Sequence, residues 1–479
     1  MKDAVSDVTI VGGGFAGLFA GAWLADLGLS VVIVEARPER VERSLRGELL
    51  HPTGVAALEK LGLGPALEAR DAARIPGFAA YGPSGRDPAI LPYGAFGLGL
   101  EHHLLVESLR KAVACRERVR LVEGTVHDAI RREGAVVGVR TADGRTFTSP
   151  LVVVADGRHS RLRAALGFPS SRRLLSRSIG VQIDVKHLPV PDHAHVLVGG
   201  PGPILVYPIS RRSARVNVDV PLDAPRRGPV LARYVAESYA RDVAPELFEA
   251  ILRAFERGTI LGAANHAVTT YSCATRGAVL LGDAGGCSHP MTATGMTSAI
   301  QDAVALGGAL SAHGMDPGSE DALLGYQQRR YRFVRPREAF AQALFDIFRG
   351  SDPGSRALRD AVFQYWQSER ARRASMAILV GDEPRTRVFA TEYARVAMLS
   401  SRALLRDGSV SARVAAFSGA LEAARTASRL FVDKVVTGAR ARSLQGTPHW
   451  MDWIMPAPRP PAPPSRPEQS QEPERALAG

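Results

Sequence analysis

Asp283 ends an apolar run, and seven residues later a proline leads to Gly295 and a long small-residue segment, in "LLGDAGGCSHPMTATGMTSAIQDAVALGGAL" at 280–310. A carboxylate at a strand end accepts hydrogen bonds from ligand hydroxyls. A helix start supplies free N–H groups and a positive dipole end. The stretch therefore reads as a loop wrapped around a polar ligand, with Gly282 and Asp283 holding its chain. The backbone amides from Gly295 through Met296 to Thr297 would face an edge where negative charge develops. "SPLVVVADGRHSRLRAALG" at 149–167 repeats the theme with Asp156-Gly157, then Ser160 and Arg163.

A third turn opens the chain. In "VTIVGGGFAGLFAGAWLADLGLSVVIVE" (8–35), Gly12, Gly14 and Gly17 fall in GxGxxG spacing, with Phe15 and Ala16 between the last two. Gly12 permits the tight turn, Gly14 lets a pyrophosphate approach the backbone, and Gly17 lets helix and strand pack closely. Glu35 closes the second strand near the distance at which an acid meets a ribose hydroxyl, with Ala36 and Arg37 following. That motif alone leaves NAD and FAD tied. The two later aspartates favour FAD, because a ribityl chain lying across one sheet offers hydroxyls to them and a nicotinamide domain needs neither.

These turns need an α/β unit of strand, helix and strand, and the remaining composition fits one. The 479 residues are 46% hydrophobic and 23% charged, ordinary for a globular chain of two or three domains. Three scattered cysteines, Cys115, Cys273 and Cys287, form no metal or CxxC pattern and fit a reducing compartment. The sequence shows neither a signal peptide nor a spanning run, so a cytoplasmic protein is expected. The net charge of +12 comes mostly from dispersed arginine without aromatic interleaving, which argues against nucleic-acid binding.

The order GxGxxG, Asp-Gly, Gly-Asp-x6-Pro resembles the class A flavoprotein monooxygenases of the p-hydroxybenzoate hydroxylase type. "RGELLHPTGVAALEKLGLG" (46–64), "ILPYG" (90–94), "HHLLVESLRKAV" (102–113), "GPILVYPISRRSARVNVDVP" (202–221) and "HPMTATGMTSAI" (289–300) narrow the likeness to squalene monooxygenase (squalene epoxidase). "AQALFDIFRG" (341–350) carries it into the C-terminal helices, so it covers most of 5–405. The resemblance implies an α/β fold: a Rossmann-like FAD-binding domain with an inserted β-sheet substrate domain and a C-terminal helical region. We assign 1–70, 100–168 and 275–320 to the FAD domain, and 71–99 with 169–274 to the substrate domain. Residues 321–455 form the helical region, and the proline-rich 456–479 a disordered tail.

The resemblance further implies FAD, NADPH (or NADH) as electron donor through a separate reductase or by direct docking, and O2. One oxygen atom would enter a C=C bond of an isoprenoid or prenylated substrate through a flavin C4a-hydroperoxide. Tyr93 matches an active-site tyrosine, and Glu48 falls in the loop beside the flavin. The family's glutamine partner of that tyrosine is replaced by His51. Its flavin-side arginine is displaced to Arg43 or Arg46, and Leu104 stands where an arginine usually opens the "SLRKA" helix. Val126 completes the expected flavin contacts, and Pro290 shapes the floor of the reaction chamber. Tyr93, Tyr207 and Met291 are expected on the chamber wall. For Tyr207 and Met291 core packing is the competing reading, and Cys287 reads as a packing residue.

Three other readings stay open: oxygenation of an aromatic, quinone or quinolone ring; a flavin-dependent isoprenoid reductase; and a flavin-free prenyl-binding protein, which the intact Asp-Gly and Gly-Asp turns disfavour. Residues 170–274 alternate as strands. Residues 411–436 read as an amphipathic basic helix, suited to packing on the catalytic domains or to peripheral membrane contact. "WMDWIMP" (450–456) lacks the spacing of a halogenase motif.

Overall fold

The structure is a computed structural model that describes residues 4–407, apart from 38–43, 83–86, 227, 240–242, 351 and 384. Arg43, the 411–436 segment, "WMDWIMP" and the tail lie outside the described residues.

The β-branched runs Val8–Val11 and Leu151–Val154 are buried at every position, as strands covered on both faces must be. They lie at the centre of a six-stranded sheet. Its order is Ala274–Thr275, Ala278–Leu280, Leu151–Val154, Val8–Val11, Val31–Glu35, Val119–Glu123. All pairs are parallel except the Ala274–Thr275 edge. Val11 pairs with Val34 and Val154, and Val154 with Leu280, so four strand ends finish level. Ligands in such sheets bind outside those carboxyl ends.

Helix Phe15–Asp26 packs closely on this sheet. A Cβ at Gly17 would lie 1.9 Å from the Gly12 carbonyl oxygen, and one at Gly21 would lie 2.6 Å from Ile33 Cδ1. Only glycine permits this approach. Helix Gly295–Ser311 lies beside it, with Gly307 against Trp23 and Leu27. A separate four-stranded sheet pairs Ala4–Val5, Thr146–Thr148, Ala135–Thr141 and Val126–Arg132, an element the sequence reading did not separate.

The strands at 73–99 and 170–270 form one eight-stranded sheet that also takes in Leu49–Leu50. Its order is Leu261–Thr270, Ser170–Asp184, Ser213–Val220, Ile204–Pro208, Ala194–Leu197, Ala73–Tyr81, Ala89–Gly99, Leu49–Leu50. Reading 170–274 as strand throughout misses two helices, Gly228–Tyr239 and Pro245–Arg257. Their buried residues, Leu231, Val235 and Tyr239, then Leu247, Ile251 and Phe255, recur every fourth position. That is a helical period. These two helices cover one face of the sheet. The opposite face, with Phe78, Leu91, Leu205 and Tyr207, packs on helices Glu320–Arg349, Pro353–Tyr365, Glu369–Val380 and Thr386–Asp407. No helix among the described residues is long and apolar enough to cross a membrane.

Candidate active site

The three glycine- or aspartate-bearing turns meet at the level strand ends. Gly12 takes φ +103°, and a Cβ there would lie 2.6 Å from the Ala155 oxygen and 3.0 Å from Asp156 Cα. Gly282, at φ +61°, lies against Ala16 and Ala299, where a Cβ would come 2.9 Å from the Ala16 methyl. Gly47 packs on Met296. So residues 270 positions apart share one edge because parallel pairing in register puts them there.

What the turns leave open is equally specific. A Cβ on Gly14 or on Gly295 would meet nothing within 4 Å. Helices Phe15–Asp26 and Gly295–Ser311 both start without a side-chain cap and without an acid in the first turn. Two sets of free N–H groups therefore face outward at one edge, which suits an anionic ligand. The Asp283 carboxylate is 32% exposed with Arg158 Nε 3.5 Å away, so it retains acceptor capacity. The exposed Asp156 stands at the neighbouring strand end, ahead of the helix Arg161–Ala165 capped by Ser160. These features fit a dinucleotide with a hydroxylated chain. The Gly12–Gly17 loop would hold its pyrophosphate, Asp283 its ribityl hydroxyls, and the Gly295 amides the ring edge.

Glu35 has a different immediate duty from the ribose contact expected. Its Oε2 accepts from Gly13 N at 2.5 Å and its Oε1 from Arg37 N at 3.0 Å, which braces the phosphate loop. Free lone pairs on both oxygens remain for a ribose. Gly124 N donates to the Glu35 carbonyl at 2.9 Å and brings the start of the Val126 strand alongside. Phe15 is buried beneath the loop, and Ala36 follows Glu35 at the exposed rim. Arg46 is exposed, with Nε on Ser44 Oγ at 2.9 Å.

Tyr93 and His51 come together as the resemblance implied. His51 Nδ1 lies 2.7 Å from the Tyr93 hydroxyl, and Nε2 lies 3.0 Å from the Thr292 carbonyl oxygen. A carbonyl only accepts, so Nε2 carries the proton. Burial lowers the His51 pKa to about 4, which keeps the ring neutral and Nδ1 an acceptor. Tyr93 therefore donates its proton to His51, and burial holds its own pKa well above the ordinary value. Thr292 belongs to the single turn Pro290–Thr292, so the pair is anchored to the loop that leads to Gly295. Pro290 is exposed at the first position of this turn. It has no group that could transfer a proton, so its part is to shape the loop.

The squalene epoxidase family model matches residues 148–417, more than half of the chain, and that of glucose inhibited division protein A matches 7–175. Squalene epoxidase 3 of Arabidopsis thaliana is 31% identical over 83% of this chain and 79% of its own length. The chain belongs to the squalene epoxidase family. Squalene monooxygenase of Mus musculus is also 31% identical, over 75% of this chain and 65% of that one. Among solved structures, PqsL of Pseudomonas aeruginosa, in complex with 2-aminobenzoylacetate, matches at a TM-score of 0.62 and 26% identity, covering 72% of this chain and 97% of that one. The p-nitrophenol 4-monooxygenase PnpA of Pseudomonas putida shares the fold, with a TM-score of 0.67 at 21% identity over 79% of this chain and 99% of its own. This squalene epoxidase family member is a FAD-dependent monooxygenase. Bound FAD, once reduced by an external donor, would supply the electrons that activate dioxygen. The chain's residues must hold the cofactor, exclude water and orient the substrate.

Within this epoxidase-family site, Glu48 corrects an expectation. Its side chain, expected beside the flavin, turns into the eight-stranded sheet and is only 3% exposed. Arg215 Nε and Nη2 donate to its two oxygens at 2.8 and 2.9 Å, and the Tyr207 hydroxyl donates at 3.2 Å. Burial pushes the Glu48 carboxyl up against the opposing pull of Arg215. Tyr207 is thereby a structural donor of the Glu48–Arg215 pair. Met291 is buried in the apolar cluster between sheet and helices. Cys287 is a packing residue: it bridges to Val268 in the backbone, and burial raises its thiol to about 12.

The sequence reading also missed a polar cluster beneath the Pro290 turn. His289 Nδ1 accepts from Met291 N at 3.2 Å, so Nε2–H donates to Asp219 Oδ1 at 3.1 Å. Asn265 Nδ2 donates to the same oxygen at 3.0 Å, and Ser176 Oγ also bonds it. Ser176, Asp219 and Asn265 sit on adjacent strands, with Ser176 paired to Asn265 and Ser178 to Asp219. The available signal was pairs of polar residues spaced by two, Ser176 with Ser178 and Asn217 with Asp219.

Neutral buried histidines give the fold an acid limit. His51 and His195 have no exposed surface, and burial lowers both to about 4, below their unfolded value. A lowered folded pKa gives stability that is present above about pH 6.5 and is lost as pH falls toward 4. The melting temperature should therefore drop between pH 6.5 and 4. His51→Gln should flatten that slope, and an unchanged slope would assign the acid lability elsewhere.

Proposed function

We propose that this monooxygenase epoxidises a carbon–carbon double bond of an isoprenoid or prenylated substrate. The observation that carries the reading is Tyr93, hydrogen-bonded to His51 at 2.7 Å and set at the edge of a large apolar cluster that includes Phe78, Leu91, Met291 and Phe348. An apolar wall excludes water and places an alkene, and transfer of an electrophilic oxygen to an alkene requires no acid from the protein. The relatives named squalene epoxidase support the same class of substrate.

Oxygenation of an aromatic, quinone or quinolone ring is the second reading. The likeness to PqsL in complex with 2-aminobenzoylacetate favours it. Electrons would come from NADPH or NADH, docked directly or through a reductase, since the sequence holds one GxGxxG loop. Peripheral contact with a membrane would give access to an apolar substrate.

The test is product mass after incubation with NADPH, a reductase and 18O-labelled O2, using squalene and farnesylated aromatics. One labelled oxygen on the prenyl chain is the expected result. Label on the ring would favour the second reading, and gain of two hydrogens without label would make the protein an isoprenoid reductase.

A further inference from the structure

The polarity of the Tyr93–His51 pair has a consequence for substrate choice. A tyrosine hydroxyl carries one proton, and here that proton points at His51 Nδ1, because Nε2–H is committed to the Thr292 carbonyl. The Tyr93 oxygen then presents only lone pairs to anything else. Its ring stands edge-on to Phe78 at 5.8 Å and packs against the apolar cluster with Leu91 and Met291. Two nearby polar side chains are engaged elsewhere: Tyr207 donates to Glu48, and His289 is held between Met291 N and Asp219. Among the described residues, the Tyr93 oxygen bonds His51 alone, which leaves it spare acceptor capacity. A glutamine in place of His51 has an option that neutral His51 Nδ1 lacks: its carboxamide N–H can donate to the tyrosine and release the tyrosine proton toward the substrate.

We propose that Tyr93 selects substrates that carry a hydrogen-bond donor, a phenolic O–H or an aryl N–H, at the head of their prenyl chain. This rests on the epoxidation reading for the chemistry but not for the binding preference. A pure hydrocarbon leaves the Tyr93 acceptor unmatched in an apolar wall, whereas an O–H satisfies it.

The preference is measurable by binding to the oxidised holoenzyme, followed through perturbation of the flavin absorbance. The probes are 2-farnesylphenol, 2-farnesylaniline and 2-farnesylfluorobenzene, the last close in size to the phenol but without a donor. We expect the phenol and aniline to bind about tenfold more tightly than the fluoro compound, the scale of one hydrogen bond. Tyr93→Phe should bring that ratio to about one while retaining flavin, and His51→Gln should shrink it. Equal binding of phenol and fluoro compound by the wild type would overturn the proposal. So would a preference that survives Tyr93→Phe.

Oxygenation of the same probes separates the two readings. A donor preference with no oxygen inserted in any probe would remove the epoxidation reading and keep this one. Equal binding of all three, with all three epoxidised, would do the reverse.

Discussion

Asp302→Ala should lower stability by roughly 3–5 kcal/mol, the usual cost of leaving one member of a buried ion pair alone. Asp302 is fully buried in helix Gly295–Ser311, and its Oδ1 lies 2.9 Å from Nε of Arg330, itself 2% exposed. Removing the carboxylate strands a guanidinium in a medium where it cannot regain water. The other oxygen, Oδ2, accepts from Gly282 N at 2.9 Å, so the same change frees the turn that carries Asp283. Chemical unfolding followed by circular dichroism measures the loss. The double change Asp302→Leu with Arg330→Met should recover most of it, because similar-sized apolar replacement of a buried pair is often neutral or better. A loss below about 1 kcal/mol for the single change would mean that Arg330 finds another partner.

Asp283→Ala should act on the cofactor rather than on the fold. The carboxylate is one-third exposed and its Arg158 contact is long, so the fold loses little when it goes. FAD held there should lose a charge-assisted hydrogen bond worth about 1.5–3 kcal/mol, which would lower affinity by about ten- to a hundredfold. The purified variant should be pale, with a melting temperature close to that of the wild type once both are stripped of flavin. Turnover should fall with flavin occupancy and recover in part when excess FAD is added. Asp283→Asn, which keeps an acceptor without the charge, should lie between the two. Full yellow colour and full turnover in Asp283→Ala would show that the Gly282-Asp283 turn does not hold the cofactor chain.

The convergence of the glycine-bearing turns was legible in the sequence for a physical reason. Gly12, Gly17 and Gly282 are needed by backbone geometry, and backbone demands leave residue-type signatures at fixed spacing. The Tyr93–His51 contact was reachable only through the family resemblance, since nothing local links residues 42 positions apart. Glu48 was misplaced because a loop carboxylate gives no hint of its partner. Arg215 lies across the eight-stranded sheet and is fixed by register alone. The Ser176–Asp219–Asn265–His289 cluster was hidden for the same reason, as four polar residues converge only when three strands and a loop close together. Helices Gly228–Tyr239 and Pro245–Arg257 were overlooked because the strands around them alternate so clearly.

FAD binding here requires an open phosphate cradle at the first helix, and Gly14→Val tests it directly. Gly14 has φ −77°, a value valine adopts, and its missing Cβ faces open space, so the substitution strains nothing in the protein. A valine there should cost the apoprotein no more than about 1 kcal/mol. It would fill the space where a pyrophosphate must lie against the backbone. Titration of the apoprotein with FAD, followed by flavin fluorescence, should show saturable binding for wild type and loss of affinity by at least a hundredfold for Gly14→Val, with an apoprotein melting temperature lowered by no more than about 4 °C. Equal FAD affinity in the two proteins would contradict the placement of the cofactor on this loop.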